Sequence, residues 1–160
     1  MAGDRAATLA TLEAVQNRVL WLATSIVHHA NRVRSTPSGV KVGGHQASSA
    51  SVVSIMTALW FAHLRSPDRV SVKPHASPVL HAIEYLLGQL DPRYLTSLRE
   101  FGGLQSYPSR KDPVPADFST GSVGIGATAT IWSAIAHRYV AGHFDVPQGG
   151  RQVAILGDAE

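Results

Sequence analysis

Four short segments combine residues able to move protons or hold anions with glycines that let a backbone approach a ligand. The first is Gly43-Gly44-His45-Gln46-Ala47-Ser48-Ser49. Its paired glycines permit a tight turn directly before a helix, which leaves imidazole and hydroxyl groups near the positive helix end, a setting for phosphate or carboxylate oxygens. A plain glycine turn with a serine cap would read the same way. In the second, Lys73-Pro74-His75, a histidine closes a short apolar run. Ligands of open α/β sheets gather at the carboxyl ends of strands, although a lone histidine is also a common structural residue. The third is the loop Gly102-Gly103-Leu104-Gln105-Ser106-Tyr107-Pro108, followed by Ser119-Thr120-Gly121-Ser122-Val123-Gly124-Ile125-Gly126. Glycines 121, 124 and 126 would open a helix start to a bound group, or serve only close helix packing. They match neither the dinucleotide fingerprint nor the lysine-bearing phosphate loop. The fourth, Val153-Ala154-Ile155-Leu156-Gly157-Asp158-Ala159-Glu160, is a buried-strand pattern with an aspartate at its tip. That position suits a hard cation such as magnesium held together with phosphates, or the cap of a following helix. The spacing gives no Ser–His–Asp or paired-carboxylate arrangement.

Periodicity supplies the elements that would carry these segments. Leu12, Val15, Val19, Leu22 and Ile26 predict one amphipathic helix over about 7–33, ended by Pro37-Ser38-Gly39. A second helix should follow Ser48 and Ser49, either of which could cap it, with Val52, Ile55, Met56, Leu59 and His63 on one face. Val70–Lys73 reads as a strand. Val79, Ile83, Leu86, Leu87 and Leu90 mark another helical face from Ser77, and Asp91-Pro92 starts a short helix reaching about Glu100. Residues 101–122 read as loop, and a long loop in a compact domain is more often functional than idle. A helix of small residues is predicted over about 124–141 and a buried strand over Gln152–Leu156. Helices alternating with short apolar strands predict an α/β layer with a parallel sheet. Two strands are too few for a whole sheet of that class, and the last ends four residues before the chain does, so an incomplete domain is expected.

Composition narrows the classes. At 160 residues, 44% hydrophobic and 16% charged, the chain suits one globular domain. Fourteen cationic residues against eleven acidic ones leave a formal +3, without the basic stripe of a nucleic-acid binder. Absence of cysteine excludes disulfides, thiolate metal sites and a cysteine nucleophile. The opening MAGDRAATLATLEAV does not have the form of a secretory signal, and no apolar stretch is long enough to span a bilayer. A cytoplasmic location is the expectation.

Taken in order, the four segments resemble the transketolase superfamily of thiamine-diphosphate enzymes. Its diphosphate-binding module has a GH near the start, a second GH after a short strand, a TG-x-x-G-x-G helix start and a strand ending in GDG. Within it, GGHQAS at 43–48, GLQSYP at 103–108 and RQVAILGDAE at 151–160 look most like the homodimeric type of pyruvate dehydrogenase's decarboxylating component. The likeness covers roughly residues 12–160. It implies an incomplete parallel-sheet module, with several helices before the sheet, forming the N-terminal part of such an enzyme and stopping inside the metal motif. It also implies that His45 and His75 are catalytic, His45 beside the thiazolium and substrate and His75 reaching the cofactor's diphosphate or reacting centre. Ser48, Gly121, Val123, Gly157 and Ala159 would contact thiamine diphosphate, Asp158 would ligate Mg2+, and Gln105, Ser106 and Tyr107 would line the substrate channel.

The implied reaction is decarboxylation of a 2-oxo acid with transfer of the acyl group to lipoamide. A transketolase moving two-carbon units between sugar phosphates, or an inactive binding or degenerate fragment, are the alternatives. Implied partners are a second copy or a complementary C-terminal chain, and a lipoyl-bearing acyltransferase; neither nucleic acid nor membrane is expected. Two departures stand out: Ala159 replaces the glycine after the metal aspartate, and Lys73-Pro74 replaces the usual polar residue and glycine before the second histidine. The family's downstream asparagine and its glutamate-bearing domain have no counterpart here, so the 160-residue chain by itself is expected to be inactive.

Overall fold

A computed structural model describes residues 2–147 and 149–157. Helix α1 (Ala2–His28) runs on into a π-helical turn, His29–Val33, closed by Arg34 N–H donating to the His29 carbonyl at 2.9 Å. The expected apolar face buries where it matters: Val19, Leu22 and Ile26 are all shielded from solvent. The second helix differs from its expectation. It begins at Gln46, with His45 in the N-cap position and no side-chain capping bond, so neither serine caps it. It also divides into α2 (Gln46–Ala50) and α3 (Val53–Ala58), the latter ending in a second π turn, Leu59–His63. Val52 and Met56 are buried, but Ile55 points outward at 59% exposure.

Strand β1 (Arg69–Ser71) comes next, shorter than the 70–73 run, and Pro74, with its fixed φ, then opens a 3-10 turn, Pro74–Ala76. Helix α4 (Ser77–Leu86) presents Val79 and Ile83 to α1, its main packing partner. A 3-10 turn, Pro92–Thr96, is capped by Asp91, whose carboxylate accepts from Arg93 N–H at 2.9 Å. Helix α5 (Ile125–His143) and strand β2 (Gln152–Ala154) complete the order.

The two strands pair in parallel, Arg69 with Gln152 through Ser71 with Ala154, and α5 lies on them. This is an α/β arrangement with an open two-stranded parallel sheet and several helices. Its core joins Val19, Leu22, Met56, Val70, Val72, Val79, Ile83 and Ile155, while Ile26, Val27, Leu90, Leu98 and Leu104 form a second cluster beneath the loops. Burying each such side chain contributes about 1.5–3 kcal/mol.

The long loop before α5 is ordered by its own polar groups. Buried Asp112 accepts from the N–H groups of Gln105 and Ser109, and Thr120 N–H donates to the Pro108 carbonyl. The loop in turn covers the edge of β1 that β2 leaves free. Val70 N–H donates to Asp117 Oδ2 at 2.8 Å, and Thr120 Oγ1 donates to the Val72 carbonyl at 3.1 Å. An edge that would otherwise present bare backbone groups is closed within the chain. Among the described residues, no helix is long and apolar enough to cross a membrane.

Candidate functional site

The carboxyl end of β1 is where three of the four segments meet. The chain leaves the strand through Val72 and Lys73 and places His75 in the turn before α4. Ser49, fully buried in α2, donates its hydroxyl to the His75 carbonyl at 3.1 Å. That bond draws the start of α2 against the turn, and His45, at the helix cap, comes to rest with its ring centroid 4.2 Å from that of His75.

Upstream, a side-chain clamp fixes the approach to His45. Asn31, inside the first π turn, donates Nδ2–H to the Gly43 carbonyl at 2.9 Å and accepts Gly43 N–H at 2.8 Å. The two bonds pair the side-chain amide with both the N–H and the carbonyl of Gly43, as a strand neighbour would. A π turn widens the helix locally and often marks a functional position.

The loop completes the cluster. Tyr107 sits edge-on to His75 with centroids 5.4 Å apart. Ser122 Oγ lies 3.4 Å from both His75 Nε2 and Tyr107 Oη, joining the glycine segment to the imidazole. Ser77 Oγ donates to the Ser106 carbonyl at 3.3 Å, and Gly44, His45, His75, Ser77, Pro78, Leu98, Arg99 and Ser106 line a narrow crevice. Two imidazoles, a phenol and a hydroxyl in mutual reach can hold and relay protons.

The remaining expected site residues are more dispersed. Ser48 is half-buried and its carbonyl accepts from Ser51 Oγ, whereas its neighbour Ser49 makes the contact to His75. Gly121 is open on its Cα face, with nothing within 4 Å of where a Cβ would stand, and its carbonyl accepts Val123 N–H at 2.8 Å. The Val123 side chain is exposed. Gln105 is exposed and tied through its N–H to Asp112. Gly157 is half-buried after β2. Asp158 and Ala159 lie outside the described residues. Among those described, no three histidine or acidic side chains group as metal ligands.

Four contributors carry no sequence signal strong enough to single them out. Ser49 and Ser48 are equivalent in pattern, and only helix rotation separates them. Asn31 sits in what reads as an uninterrupted helix. Ser122 is a small polar residue among glycines that serve equally well as a turn, and Arg99 belongs to a segment that reads as a plain short helix.

Charge elsewhere has a structural purpose. At the opposite end of β1, Asp68 accepts from Arg65 N–H and Arg151 N–H and pairs with the Arg151 guanidinium at 2.6 Å. The Arg151 bond, then these backbone donors, hold the Asp68 carboxyl well below the ordinary carboxylate range and raise the guanidinium's affinity for its proton.

No protein-family model matches the chain. Individual proteins do. It is similar to the pyruvate dehydrogenase E1 component of Mycobacterium tuberculosis, at 34% identity over 134 residues, covering 76% of this chain and 14% of that protein. The E1 component of Mycolicibacterium smegmatis is 34% identical over 155 residues, covering 89% and 16%. That of Escherichia coli is 28% identical over 158 residues, covering 91% and 17%. The chain therefore spans about a sixth of the length of the relatives it matches.

Proposed function

Because the chain is homologous to one stretch of the pyruvate dehydrogenase E1 component, we propose that it supplies the diphosphate-side portion of a thiamine-diphosphate site. The enzyme so formed decarboxylates a 2-oxo acid and passes the acyl group to a lipoyl group. The observation that carries this reading is the contact of His45 with His75 at the carboxyl end of a parallel strand, with Tyr107 and Ser122 beside them.

The residues present suit such a cofactor. Gly121 and Gly124 leave open space before the N-terminus of α5, where backbone donors and the helix dipole favour phosphate oxygens. Thiamine diphosphate, when bound, supplies the nucleophilic carbon and the electron sink. His45 and His75 would hold or move protons near the reacting centre, with Ser122 and Tyr107 orienting His75 and extending its proton path. Ser48, Val123, Gly157 and Ala159 are proposed to flank the cofactor, Gln105 and Ser106 the path of the substrate, and Asp158 to ligate Mg2+.

The test is calorimetric titration of the full chain with thiamine diphosphate, with and without Mg2+. The expected result is metal-dependent binding that weakens about tenfold in His75→Ala, the scale of one or two charge-assisted contacts. Absence of binding under both conditions would remove this reading.

A further inference from the structure

We propose that Arg99 is an oxyanion-binding residue at the side of the histidine crevice, placed to take the carboxylate of a 2-oxo acid. Several independent features point to it. Arg99 lines the crevice with His45, His75 and Ser106. Its backbone has φ +60°, the left-handed region, and it is the one non-glycine residue among those described to adopt it. Such a conformation costs on the order of 1–3 kcal/mol and persists where surrounding structure enforces it, most often at ligand sites. Here the enforcement is visible: Arg99 N–H donates to the Leu104 carbonyl at 2.7 Å and Leu104 N–H returns to the Ser97 carbonyl at 3.2 Å, closing a turn that points the side chain inward.

The guanidinium is also incompletely matched. Nη1 donates to the Val42 carbonyl at 2.8 Å, two residues before Gly44 and three before His45. Nε is buried and has no hydrogen-bond partner. Among the described residues no carboxylate lies within ion-pair distance of Arg99, although Arg34, Arg69, Arg93 and Arg151 each have one. Six other buried side-chain atoms among the described residues also have no partner, but of these residues Arg99 alone lines the histidine crevice, where an oxyanion would supply the acceptor. A planar oxyanion is the natural complement of a guanidinium fork.

The same chemistry could come from a substrate carboxylate or from the cofactor's phosphate. The carboxylate assignment rests on the thiamine-diphosphate reading; the oxyanion site does not. The experiment is heteronuclear NMR on the isotope-labelled full chain, tracking the Arg99 Nε–H and the ring signals of His45 and His75. Pyruvate, inorganic phosphate, and thiamine diphosphate with Mg2+ are titrated separately. Pyruvate should shift the Arg99 Nε–H and both rings, with affinity reduced about tenfold in Arg99→Gln and partly kept in Arg99→Lys, which retains the positive charge. A response to phosphate but not to pyruvate would overturn the carboxylate assignment and give Arg99 to the diphosphate. An unmoved Nε–H with every probe, or full affinity in Arg99→Gln, would overturn the site itself. Since the Nε–H is read in the native chain, the first of these outcomes is decisive even if Arg99→Gln fails to fold. Anion binding through Arg99 without any thiamine-diphosphate binding would sink the cofactor reading and leave the subsite standing.

Discussion

At Gly43 the backbone has φ +89°, and a Cβ there would stand 2.5 Å from Arg99 Nη1. Gly43→Ala therefore strains the chain and pushes the guanidinium off the Val42 carbonyl. The expected cost is about 1–3 kcal/mol in urea denaturation, and unchanged stability would show that the loop yields freely. Asp68 carries a prediction of a different kind. Its folded pKa lies below its unfolded one, so its pairing with Arg151 stabilises the fold above the ordinary carboxylate range and is lost as pH falls through and below about 4. The gap in urea midpoint between the native chain and Asp68→Asn should be widest near neutrality and close progressively below that range. A gap independent of pH would contradict the pairing. Neither residue declares itself in sequence. Gly43 is legible as a turn, but the arginine packed against it lies far along the chain, and nothing around Asp68 in the sequence hints that its carboxylate gathers several donors. Histidines at 45 and 75 are legible because a short strand and a glycine turn each advertise a ligand-facing end.

Elements are easier to anticipate than their ends. Side-chain period locates the buried faces of α1 and α4, since Val19, Leu22, Ile26, Val79 and Ile83 repeat with the helix. It cannot locate π turns, which shift the register without changing composition, and it misplaces the start of α2, where a histidine occupies the cap without bonding to it. Within α4, His81 and Glu84 form a wholly buried pair, Nδ1 to Oε2 at 3.0 Å, with the far ring nitrogen unpartnered. Losing one member strands the other in the core. His81→Leu should cost about 3–5 kcal/mol, whereas His81→Leu combined with Glu84→Leu should recover most of it. A double-mutant cycle by thermal or chemical denaturation measures this, and additive losses would refute the coupling. Helix α5 meets β1 at Gly126, where an added Cβ would approach Ser71 Oγ to 2.9 Å. Gly126→Val should loosen that contact and speed amide exchange in β1 and the first turns of α5, and unaltered protection would argue that the helix is held elsewhere.

For the molecule as a whole, the notable surface belongs to α5 and the segment just beyond its C-terminus. Ile131, Trp132, Ile135, Tyr139 and Phe144 are each more than half exposed, more apolar surface than a solitary globular domain usually presents. Purified at micromolar concentration, the chain should self-associate in sedimentation velocity, and Trp132→Lys with Ile135→Glu should shift it toward monomer. A native chain that sediments as a monomer at all concentrations would remove this expectation.

The parallel pairing of β1 with β2 carries a consequence for biosynthesis. The bond from Arg151 back to Asp68 spans 83 positions. At roughly 5–20 residues per second on the ribosome, the first strand emerges on the order of ten seconds before its neighbour exists. The Asp117 loop, 47 positions beyond Val70, can cover one flank of the strand only in the later part of that interval, and the other flank stays open to any extended peptide or chaperone that reaches it until Arg151 is made. Slower translation across residues 70–150 lengthens the time for which that flank is open, whatever the finished fold's stability.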